Sequence, residues 1–123
     1  MISPTDVSLS YTASVAAHAS TITTLQTGPL VLKGISVSYN MDSEAGSVSG
    51  LGVVDIKLYD GSSEIMRICH AHDAQLNNCN FAYAFPANGI RVDGDLGLGV
   101  RESSGAGYTN LAATGIYVLY QQG

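Results

Sequence analysis

Residues 51–70 read LGVVDIKLYDGSSEIMRICH, and this stretch decides the fold class. Val54, Ile56 and Leu58 alternate with Asp55, Lys57 and Tyr59, the two-residue period of a strand with one face in a core. Asp60-Gly61 supplies a turn, and EIMRICH supplies the return strand of a hairpin. With Ser62 and Ser63 counted in, the expected loop is longer than the tightest two-residue kind.

The same period recurs on both sides. In PLVLKGISVSYN (29–40), Ile35, Val37 and Tyr39 alternate with Gly34, Ser36 and Ser38. A Gly/Ser-rich loop, DSEAGSVSG, leads from it to the hairpin. After the polar segment AHDAQLNN, the run NFAYAF places Phe81, Tyr83 and Phe85 on one face and Ala82 and Ala84 on the other. Pro86 ends it, and Asn88-Gly89 and Asp93-Gly94 mark two further turns, since these residues tolerate positive φ. Leu96, Leu98 and Val100 face one way, Gly97 and Gly99 the other, where glycine lets a backbone or a large side chain come close. A long loop, ESSGAGYTNLAAT, precedes GIYVLYQQ. That last run is apolar on both faces, as expected of a central strand or of one that meets a partner. Tyr39, Tyr83 and Tyr120 are expected in the core. About eight short strands result. Ala13–Ala19 is the only helical-looking stretch, and it is too short to make a convincing helix. The pattern predicts an all-β, antiparallel sandwich or small barrel.

Residues 1–28 stand apart. They hold no Lys, Arg or Glu, and Asp6 is their only acid. Two readings stay open: a first strand containing Thr21–Leu25, or an extended arm lying on a neighbouring subunit. Residues 29–123 form the sandwich domain.

Composition narrows the function. The chain has 123 residues, enough for one core without disulfides. Charged residues make up 12%, about half the usual ~25%, so part of the surface is expected to be covered by partners. The five cations, Lys33, Lys57, Arg67, Arg91 and Arg101, are scattered and the net charge is −5, which argues against nucleic acid and against an anionic membrane surface. The N-terminal stretch has no basic n-region and no unbroken apolar run. It therefore reads as no secretory signal, and the expected location is the cytosol or a particle assembled there. Cys69 and Cys79 are then expected as thiols, although a disulfide is open if their strands pair.

The one constellation with ligand chemistry is Cys69-His70-Ala71-His72-Asp73 with Cys79. His70 and His72 share a face along a strand, as a zinc site would need, but Cys69 would point away from both, so no metal is expected. Oxygen-rich turns at Asp60, Glu64, Asp93 and Asp95 suit either Ca²⁺ or plain turn formation, and turn formation is the commoner use. No G-x-S-x-G elbow is present, and Gly97-Leu98-Gly99 lacks the helix and Lys of a phosphate loop. No catalytic residue and no cofactor are expected. Tyr11, Tyr108 and Tyr117 are the candidate subunit contacts, because tyrosine offers much contact area at little entropic cost.

From residue 29 onward, the order of strands and turns resembles a family of small head proteins of tailed bacteriophages. The likeness rests on Leu32, Gly34, Ile35 and Val37; on Ile56, Leu58, Tyr59, Asp60 and Gly61; and on Phe85, Pro86, Gly89, Ile90, Arg91 and Val92. Leu96, Leu98, Val118 and Tyr120 complete it. The CHAHD segment and residues 1–28 have no counterpart in it. The resemblance implies a jelly-roll-like decoration, or cement, protein. Such a protein sits on the outer capsid surface of the virion as a homotrimer and bridges subunits of the major capsid protein. A trimeric fibre head, or a receptor- or carbohydrate-binding sandwich of a virion, is the alternative. A fibre head usually follows a repetitive shaft, and a carbohydrate module usually displays Trp. The chain has neither.

Overall fold

The computed structural model describes residues 7–16, 21–40, 53–72, 78–86, 88–102 and 112–123. Among them lie nine strands and no helix: β1 (Ser8–Ala16), β2 (Thr23–Gln26), β3 (Leu30–Asn40), β4 (Val53–Asp60), β5 (Ser63–His72), β6 (Asn78–Ala84), β7 (Ile90–Val92), β8 (Leu96–Glu102) and β9 (Ala112–Gln122). Every pairing between them is antiparallel. A five-stranded sheet runs β1-β9-β3-β6 with β7 also on β3, and a four-stranded sheet runs β2-β8-β4-β5.

That order has a simple origin. The pairs β1/β9, β2/β8, β3/β6 and β4/β5 are what one long antiparallel hairpin gives when it is rolled upon itself, with β7 added on the returning limb. This is the jelly-roll sandwich. Within the first 28 residues, β1 and β2 are edge strands, one in each sheet, and residues 13–16 of the helical-looking stretch belong to β1.

The expected hairpin is β4–β5. Asp60 pairs directly with Ser63, so the connection is the two residues Gly61-Ser62, tighter than the sequence suggests. Ile56 and Leu58 point into the core from β4, and Leu96, Leu98 and Val100 from β8. Leu30, Leu32, Ile35 and Val37 do so from β3, and Ile116 and Val118 from β9. Each such side chain contributes about 1.5–3 kcal/mol of burial, offset by the entropy of ordering it.

Two irregularities set which residues face outward. The register of β3 on β9 shifts between Leu32 and Gly34, as a β-bulge does. The buried set therefore moves from Leu30 and Leu32 to Ile35 and Val37, and Gly34 and Ser36 turn to the opposite face. A second shift, between Ser36 and Ser38, falls opposite Gly115, whose φ of 55° lies in the left-handed region. It lets Ile116 on one side of Gly115 and Ala113 on the other both face the core.

Gly97 performs the close approach foreseen for it. A Cβ there would lie 2.5 Å from Ile22 Cγ2 and 3.8 Å from Tyr59 Cβ. Ile22 thus lies over the outer side of β8, and Tyr59 beside it is buried although it sits on the outward side of β4.

Candidate functional site

The described residues include two of the three candidate contact residues. Tyr11 on β1 and Tyr117 on β9 are directly paired in register, with ring centroids 4.7 Å apart and planes 44° apart. Both rings stand on the outer face of the five-stranded sheet, 56% and 45% exposed. Beside them, Leu9 pairs with Leu119, and these are 59% and 43% exposed. Val7 extends the same row. Tyr108 lies outside the described residues.

These residues make a ridge along the edge of the sandwich. Next to it, β3 and β6 place small residues against each other: Gly34 opposite Ala84 and Ser36 opposite Ala82. The step between large and small residues forms a groove of about 410 Å³, lined by Leu9, Tyr117 and Leu119 on one side and by this floor on the other.

Tyr83 corrects an expectation. It alternates with Ala82 and Ala84 as read, and it packs edge-on to Phe85 with centroids 4.9 Å apart. It is nevertheless half exposed, because among the described strands β6 is the outermost of its sheet. Tyr120 packs against the core as a partly buried residue, and the side chain of Tyr39 lies outside the described residues.

The ridge strands carry no ionic chemistry; the charges of this sheet are Lys33 on β3 and Arg91 on β7. β1, β6 and β9 contain no Asp, Glu, Lys or Arg. The four-stranded sheet is the reverse. Lys57 Nζ lies 3.1 Å from Glu64 Oε1, and Arg67 Nε lies 3.0 Å from Asp55 Oδ1, both as cross-strand pairs of β4 and β5.

The acidic turns act as turn locks. Asp60 accepts the backbone N–H of Gly94 at 2.8 Å on Oδ1 and that of Asp93 at 3.1 Å on Oδ2. Asp95 accepts Gly28 N–H at 3.1 Å on its side chain and Gly61 N–H at 2.9 Å on its backbone carbonyl. Asp93 pairs with Arg91 at 3.0 Å, and Arg91 also donates to the Gly123 carbonyl at 2.7 Å. Asp60, Glu64, Asp93 and Asp95 therefore each have a partner of their own. Among the described residues, no three His, Cys, Asp or Glu side chains come together around a common point.

Cys69, His70 and His72 are on β5, with backbones opposite Ile56, Asp55 and Val53; Cys79 is on β6 opposite Tyr39. The two cysteine-bearing strands belong to different sheets and do not pair. The side chains of these four residues, and Asp73, lie outside the described residues. Among the described residues no helix is long and apolar enough to cross a membrane.

β1 is the element of this face that the residue pattern revealed least clearly. Its signal was present: Val7-Ser8-Leu9-Ser10-Tyr11-Thr12 alternates as regularly as the hairpin does. Fold and face together define a jelly-roll sandwich whose four-stranded sheet is ion-paired on its outer side, and whose five-stranded sheet shows exposed apolar side chains on the uncharged strands β1 and β9. Comparison with protein-family models, with curated proteins and with solved structures finds no match in any of the three.

Proposed function

We propose that this chain is a structural virion protein, a decoration or cement protein. In this reading it sits on the outer surface of a bacteriophage capsid as a homotrimer and bridges subunits of the major capsid protein. It works by contact and performs no chemistry. The observation that carries the reading is the wide uncharged face on β1 and β9 of a rigid jelly-roll frame, where Tyr11, Tyr117, Leu9 and Leu119 stand exposed. The likeness of residues 29–123 to small phage head proteins supports it, as does the shortage of charge.

Such a protein stabilises a shell by mass action, binding the intact expanded form better than the broken one. A few kcal/mol per copy suffices when many sites act together. The test is to add the purified chain to shells of the virus that encodes it, stripped of their surface proteins. Saturable retention on the shells and a higher disruption temperature are expected. Absence of retention at concentrations near 100 µM would overturn the proposal.

A further inference from the structure

We propose that the outer face of the five-stranded sheet, along β1 and β9, is the surface through which copies of this chain associate. The occupant of that face is a second copy of the same chain. The inference rests on the contact reading above but not on any virion partner.

The first argument is the orientation of β1. Ser8, Ser10 and Thr12 pair with Tyr120, Val118 and Ile116, so they occupy the side that faces the core. Ser10 Oγ even reaches 3.4 Å to the Leu25 carbonyl on β2 of the other sheet. Val7, Leu9 and Tyr11 are left outside. In a strand with one face in water, a one-residue slip would exchange these sets. Of the described β1 side chains on the core side only Val15 is a buried apolar one, so over residues 8–12 a polar inner row lies behind an apolar outer row, an arrangement that makes sense when the outer row is covered too.

The second argument is where the charge lies. β4, β5 and β8 carry Asp55, Lys57, Asp60, Glu64, Arg67, Arg101 and Glu102, whereas β1, β6 and β9 carry no charged residue. A strongly charged partner would find nothing to pair with on β1, β6 or β9, and the two cations elsewhere in the sheet, Lys33 on β3 and Arg91 on β7, already have interactions of their own. Copies packed through their five-stranded sheets hold their charged sheets apart in solvent, which limits the repulsion between chains of net charge −5.

Shape and area agree. The ridge of Leu9, Tyr11, Tyr117 and Leu119 lies beside the groove floored by Gly34, Ser36, Ala82 and Ala84, so each copy offers both a projection and a recess. Taken across β1, β9, β3 and β6, with the groove floor counted in, four strands spaced about 4.8 Å apart and up to about 30 Å long give on the order of 500 Å² per copy. Two copies then bury about 1,000 Å², the area at which a specific interface becomes possible.

The test is the solution mass by light scattering, with circular dichroism as the check on folding. Leu9→Glu alters the ridge and Ala82→Glu the recess. Both positions are exposed, so the fold should persist. Ser62→Glu places the same charge on the hairpin turn of the opposite sheet. The wild type and Ser62→Glu are expected near three times 12.8 kDa, and the other two variants near one chain. A wild-type mass of two chains that falls to one in Leu9→Glu and Ala82→Glu would support this face and overturn the trimer. A wild-type monomer at 100 µM, or variants that assemble like the wild type, would overturn the face itself.

Discussion

The two sheets share one core but treat their outer surfaces in opposite ways. On the four-stranded sheet, Ile22 lies over Gly97, Tyr59 is buried beside it, and Asp55, Lys57, Glu64 and Arg67 join in cross-strand ion pairs. On the five-stranded sheet, Leu9, Tyr11, Tyr117 and Leu119 stand open with no charge among them. The same chain thus solves the exposure problem once with its own residues and leaves it unsolved once. The open apolar face is the unusual one, since a typical monomer seldom shows a continuous apolar patch beyond a few hundred Å². The difference singles out the five-stranded sheet as the face on which the proposed contacts fall.

The sharpest way to test the contrast is to truncate one tyrosine on each sheet. Tyr59→Ala removes a buried ring and should cost about 3 kcal/mol in urea unfolding. Tyr117→Ala, on the open face, should change the stability of the isolated chain by no more than about 0.5 kcal/mol. Similar losses at both positions would erase the distinction between a sealed and an open face.

A smaller effect is expected where Ile22 seals β8. Gly97→Ala places a methyl group against Ile22 and should cost about 1–3 kcal/mol, measured in the same unfolding assay. A neutral result would mean that residues 21–22 yield easily, and that the four-stranded sheet is less sealed than it looks.

Asp60→Ala leaves the amides of Asp93 and Gly94 without their acceptor and should destabilise by about 1–2 kcal/mol. Because the turn links the tip of β4–β5 to the β7–β8 connection, hydrogen exchange at Asp93 and Gly94 should rise with it. Unchanged exchange there would show that the turn holds without the carboxylate.

The smallest change should come from the ion pairs. Lys57→Gln and Arg67→Gln should each cost less than about 1 kcal/mol and lose that effect in high salt, because all four partners are at least partly solvated. Salt should act in the opposite sense on the other sheet, screening repulsion between copies and raising the assembled fraction in light scattering.

Much of this was legible in the residues. The hairpin around Asp60-Gly61, the strand of Ile35 and Val37, and the row of Leu96, Leu98 and Val100 all show the period of two, and the structure places each on a strand as read, the hairpin with a tighter connection than expected. The turn signals at Asn88-Gly89 and Asp93-Gly94 fall between strands, and Gly97 makes room for a neighbour. Tyr11 and Tyr117 were distinguishable as candidates, but not as a touching pair, because they are far apart in sequence and meet only when β1 lies along β9. Tyr83 misled, since alternation with alanine looks the same in a central strand and in an edge strand. The Leu32–Gly34 bulge was hidden too. It puts Leu30 and Leu32 out of phase with Ile35 and Val37, and without the bulge, phase alone would let only one of the two pairs turn inward, whereas both do.

Local sequence determined the strands, their turns and the all-β class, because a side-chain period of two and a few turn-forming residues are properties of neighbouring positions. Only the tertiary structure decided which of the two faces of each strand is the inside. For β1 the answer runs against composition: Ser8, Ser10 and Thr12 lie within, and Leu9 and Tyr11 without. The physical reason is that alternation divides a strand into two rows without naming the buried one. That choice is made by pairing with β9, whose own inner row is fixed by the packing of Ile116 and Val118 into the common core.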